Sequence, residues 1–97
     1  MLETLTKEHW EIYFNGIFKI QMNSKASLDV QLSKVTGHGL RTTLKREAYS
    51  LEFKGPLEPI LEQRIYQISH TQMGQFEIFI VPVSRSADHI IYEAVFT

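Results

Sequence analysis

The densest charge in the sequence is a run of four cations, Lys34, Arg41, Lys45 and Arg46, within thirteen residues that contain no acid. Side chains of this type hold a phosphate, an acidic protein patch or a nucleic-acid backbone, because each offers several donors to an oxyanion. The competing reading is a solvated basic loop, since no aromatic is interleaved to stack on a base. Gly37-His38-Gly39-Leu40-Arg41-Thr42 lies in the same stretch and opens like the glycine fingerprint that cradles a dinucleotide. Thr42 stands where the third glycine belongs and no βαβ unit follows, so these glycines read as a turn.

Histidine chemistry is sparse. His9, His38, His70 and His89 show neither HExxH spacing nor an i, i+4 pair, so no metal site or cofactor is predicted. His70 ends an alternating strand on the predicted core side, where it would donate a hydrogen bond that holds the following turn. With Tyr66 it forms a candidate pocket. Ser86, Asp88 and His89 are the residue types of a hydrolase triad, but neighbours in one loop cannot adopt triad geometry, and no G-x-S-x-G elbow is present. Glu52, Glu77 and Glu93 sit among apolar residues in three separate strands. Two of them facing one cavity would do acid–base work; the plainer expectation is that each marks a solvent face. Tyr49, Tyr66 and Tyr92 read first as core or interface aromatics. No catalytic residue is assigned, and the sequence leans away from an enzyme.

The elements that would position these groups follow from the hydrophobic period. Thr6 is placed to cap a helix over about residues 6–15, with Glu8 near the positive end of its dipole. Leu5 and Trp10 have the spacing of a hydrophobic staple. Trp10, Tyr13 and Phe14 share one stripe, and Asn15-Gly16 supplies the stop. Beyond Gly16 the period shortens to two, and strands are expected at about 17–22, 27–35, 48–54, 64–70, 75–83 and 89–96. Val35 is out of phase with Leu32, which predicts a bulge near Ser33-Lys34 or the end of that strand. The strand at 75–83 is apolar on both faces, with Phe76, Ile78 and Ile80 on one and Phe79 and Val81 on the other. It should therefore lie centrally or where a sheet closes on itself. Left uncovered it would invite aggregation, so closure of the fold or a second subunit must cover it. The core is expected to concentrate in the last two strands. The predicted fold is mainly β, α+β at the margin. It is a small antiparallel barrel or roll of about six strands with one N-terminal helix, in a single domain over residues 1–97.

Composition bounds the function. At 97 residues the chain can build one core, and 43% hydrophobic with 22% charged residues is an ordinary globular balance. Without cysteine there is no disulfide, thiolate site or cysteine nucleophile. The first twenty residues carry Glu3, Lys7, Glu8, Glu11 and Lys19, so they do not form the apolar core of a signal peptide. The longest apolar run, Ile78 to Val83, contains Pro82 and falls far short of the roughly 20 residues a spanning helix needs. A cytoplasmic protein without membrane attachment is expected. The net charge of -1 disfavours nucleic-acid binding by bulk charge, although residues 1–48 carry seven Lys/Arg against five Asp/Glu and residues 49–97 carry three against six.

Three segments together resemble a family of short bacterial proteins classified only as a domain of unknown function. They are Leu2 to His9, Phe53-Lys54-Gly55-Pro56-Leu57, and the run from Ile65-Tyr66 through His70 and Met73-Gly74 to Phe79–Val83 and Tyr92–Phe96. Only Gly37 to Arg46 falls outside the resemblance, which implies a complete family member rather than a fragment. It implies no activity or cofactor. Through an association with small phage-tail-like proteins it implies an accessory or assembly role. The leading expectation is thus a module that binds another protein, or itself, through a strand edge, aromatic residues or the basic loop. The alternative is a small-ligand-binding β barrel with Tyr66, His70 or the basic loop as polar contacts.

Overall fold

Strands begin where the hydrophobic period changes at Gly16. The computed structural model describes residues 5–39 and 47–96. In it α1 (Lys7–Glu11) precedes β1 (Ile17–Gln21), β2 (Ser27–Gly37), β3 (Tyr49–Gly55), β4 (Arg64–His70), β5 (Gly74–Arg85) and β6 (Ile90–Phe96). All neighbours pair antiparallel and close a barrel in the order β1-β2-β3-β6-β5-β4. It is two three-stranded meanders joined along two seams. The β3–β6 seam runs through seven residue pairs from Tyr49↔Phe96 to Gly55↔Ile90. The β1–β4 seam consists only of Lys19↔Ser69 and Ile20↔Ile68.

The register shifts between Leu32 and Lys34, the bulge that out-of-phase Val35 announces. A second shift falls between Pro82 and Ser84, where proline has no N–H to give the ladder.

The helix is shorter than the residues 6–15 expected. Thr6 caps it in a capping box in which His9 takes the usual glutamate's place, its Nδ1 accepting the Thr6 N–H at 3.0 Å. Glu8 lies in the first turn, and a hydrogen bond from its own backbone N–H, aided by the Lys7 ammonium, holds its carboxyl below the usual range. Residues 12–15 are turn because Asn15 adopts a left-handed φ of 70° and its N–H donates to the Leu32 carbonyl at 2.8 Å. Of the predicted stripe, Trp10 is fully buried and Tyr13 half-buried, but Phe14 is exposed.

Trp10 fills the end of the barrel under α1, its ring 5.4 to 5.9 Å from those of Phe18, Phe76 and Phe96. At the opposite end, residues 56–63 cross from β3 to β4. Leu61 is buried there and its N–H donates to the Tyr92 hydroxyl at 2.9 Å. Between the ends lie alternate residues of every strand: Phe18 and Ile20, Val30 and Leu32, Leu51 and Phe53, Tyr66 and Ile68, Ile78 and Ile80, Tyr92 and Ala94. The core is shared by all six strands, not concentrated in the last two, because closure turns one face of each inward. β5 is covered on one face alone: Ile78 and Ile80 point inward while Phe79 is 49% exposed.

Candidate functional site

Because β1 and β4 pair so briefly, their ends part beyond Lys19 and Ser69. The gap is a surface cleft of about 350 Å³ lined by Ile17, Lys19, Ser69, His70 and Thr71. His70 holds its upper end in place. Its Nδ1 accepts the backbone N–H groups of Gln72 at 3.0 Å and Met73 at 3.2 Å, and its ring packs 4.8 Å from Tyr13 and 4.6 Å from Phe18. The expected donation to the turn is thus reversed: His70 accepts. A nitrogen that accepts two N–H groups carries no proton, so the ring proton resides on Nε2. Lys19 lines the cleft, and its Nζ reaches Asp29 of β2 at 2.8 Å, both side chains 60% exposed. Such a pair contributes about 0–1 kcal/mol.

Tyr66 does not join this site. It shares the inward face of β4 with His70 but lies four residues away, roughly 13 Å along a strand. Its hydroxyl donates to the Glu62 carbonyl at 2.7 Å, at the other end of the barrel, with the Arg64 guanidinium 4.7 Å above its ring. Ile17, Lys19, Ser69 and Thr71 share no linear motif, because what brings them together is the β1–β4 adjacency.

Of the basic cluster, Lys34 is exposed on β2 opposite Glu52 of β3. Arg41, Lys45 and Arg46 lie outside the described residues. Gly39 has φ 73°, and its N–H donates to the Glu47 carboxylate at 2.7 Å, so this turn amide already serves an anion of the protein's own. Glu52 and Glu93 are directly opposed across β3 and β6, and Glu77 pairs with Gln67. All three face outward. Ser86 Oγ accepts from the N–H groups of Asp88 and His89, a local turn and not a relay. Among the described residues no group of three or more His, Asp or Glu is placed to hold a metal ion.

A second surface feature lies on the outer face of the second meander. Ile65 of β4 is directly opposite Phe79 of β5. The pairing Val81↔Glu93 sets Phe79 beside Val95 of β6, each two residues further on the same face. The three are 62%, 49% and 60% exposed, a row of large apolar side chains across adjacent strands.

Residues 5–96 match the family model described as a domain of unknown function, DUF6916. The chain belongs to this family. The DUF6916 match runs through residues 37–46, the segment outside the sequence resemblance. No curated protein and no solved structure matches the chain. In this DUF6916 domain no helix among the described residues is long and apolar enough to cross a membrane.

Proposed function

We propose that this DUF6916 domain is a protein-binding module that docks its partner on the outer face of β4, β5 and β6. The observation that carries the reading is the row of Ile65, Phe79 and Val95, exposed side by side. Single exposed apolar residues are ordinary, but contiguous ones on one sheet face favour an interface. Closure of the barrel argues against strand addition: β5 has β4 on one side and β6 on the other, so side chains and not a free edge would make the contact. The filled interior argues against a ligand held inside the barrel. An accessory part in a phage-tail-like assembly is the finer form of this proposal, supported by the sequence resemblance alone.

The test is affinity capture with the wild-type chain and with an Ile65→Asp/Phe79→Asp variant of unchanged circular dichroism. A protein retained by the wild type and lost with the variant is expected. An identical set retained by both would refute the reading, and recovery of tail components would decide its finer form.

A further inference from the structure

We propose that the cleft between β1 and β4 binds a small organic acid, an oxyanion headgroup of the carboxylate or phosphate type carried on a short apolar body. The headgroup assignment comes from the donors. Ser69, His70 and Thr71 line the cleft, and the Ser69 hydroxyl, the Thr71 hydroxyl and the Nε2–H of His70 have no hydrogen-bond partner among the described residues. The two N–H bonds at Nδ1 fix the His70 tautomer, so Nε2 can only donate. Its ring cannot swing away, because Tyr13 and Phe18 pack against it. No carboxylate lines the cleft. Asp29 meets Lys19 from the β2 side and is not among the lining residues.

Lys19 supplies the charge. Its ion pair with Asp29 is exposed and weak, so the ammonium can exchange that carboxylate for a ligand oxyanion at little cost. A cation in the same place would meet the Lys19 ammonium with no carboxylate of the lining to offset it. The apolar body is assigned by Ile17, which is 54% exposed and forms the cleft wall two residues before Lys19 on the same face of β1. The volume of about 350 Å³ lies at the small end of the range for small-molecule sites, suited to a short chain or single ring. The site is separate from the docking row, and neither proposal depends on the other.

Titration of the full chain with sodium hexanoate and with hexyl phosphate, followed by backbone and methyl NMR, tests the assignment. Hexanol and hexylamine serve as neutral and cationic controls. The expected result is saturable shifts at Ile17, Lys19, Ser69, His70 and Thr71 with at least one acid, about tenfold tighter than with hexanol. In a Lys19→Met/Thr71→Val variant, both sites being exposed, that affinity should fall by about tenfold or more while the remaining spectrum is preserved. The proposal is overturned if neither acid saturates the cleft, if hexanol or hexylamine binds as well as the acids, or if the double variant binds them unchanged. Which acid binds identifies the headgroup.

Discussion

The indole N–H of Trp10 donates to the phenol oxygen of Tyr49 at 2.9 Å, and that phenol donates in turn to the Leu5 carbonyl at 3.2 Å. Trp10 and Tyr49 are both fully buried, and the Tyr49 ring stacks on Phe96 at 4.8 Å. The relay ties α1 to the start of β3 and the end of β6, so a helix of five residues, too short to persist alone, is held by its side chains.

Tyr49→Phe leaves the Trp10 N–H buried without its acceptor and should cost about 1–3 kcal/mol. Trp10→Phe should cost a comparable or larger amount because it also leaves a cavity. The double variant should be less destabilised than the two single losses added together. Urea unfolding of the four proteins gives the coupling, and simple additivity would show that the bond contributes nothing.

Burial pushes the Tyr92 phenol above its ordinary value, partly offset by the Leu61 N–H, with Tyr66 adding to the rise. The folded value then exceeds the unfolded one of about 10. Stability from this group is fully present below pH of about 10 and is lost as pH climbs through the folded value. Denaturant unfolding between neutral and strongly alkaline pH should decline less steeply in Tyr92→Phe than in the wild type. At neutral pH that variant should be weaker by about 1–3 kcal/mol, since the Leu61 N–H loses its acceptor.

For His70 a long-range proton–nitrogen spectrum should show the proton on Nε2 and a bare Nδ1. A proton on Nδ1 would contradict the turn geometry. His70→Ala should destabilise the chain by about 2 kcal/mol through two orphaned N–H groups and lost packing on Tyr13 and Phe18.

A methyl group on Gly55 would lie 3.0 Å from the Tyr92 ring and 3.2 Å from Val30 Cγ1. Gly55→Ala should overpack this layer by about 1–3 kcal/mol. For a domain of this size that is a fall of several degrees in Tm by calorimetry, about 4–8 °C per kcal/mol. An unchanged Tm would mean that β3 and β6 move apart freely.

Phe79→Ser should alter folding stability by less than about 1 kcal/mol, because nearly half the ring is already in water. A loss of several kcal/mol in urea unfolding would make Phe79 a structural residue and remove the centre of the docking row.

Much of this fold is legible in the sequence, and the failures share a cause. The Val35 phase slip locates the bulge, Thr6 marks where the helix starts, and period two finds the strands, while the helix stops at Glu11, well before Asn15. Phe14 misleads because it continues a helical stripe through residues that the left-handed turn at Asn15 has already diverted. Phe79 misleads because an apolar outer face looks the same in sequence whether a barrel wall or a partner covers it. Tyr66 and His70 share parity, but strand parity does not record that one lies at each end of the barrel. The cleft itself depends on β1 meeting β4, a juxtaposition that no local pattern encodes.

The unequal seams have a kinetic consequence. Within each meander the paired strands are consecutive in the chain, so both halves can form by local zippering. The joints Tyr49↔Phe96 and Ile20↔Ile68 link remote residues and carry the loop-closure entropy. Folding should therefore be limited by the encounter of two largely formed halves, and unfolding should begin at the joint with only two rungs. Faster amide exchange along Lys19–Ile20 and Ile68–Ser69 than along Leu51–Phe53 is the expected signature, and the reverse order would place the rupture at β3–β6.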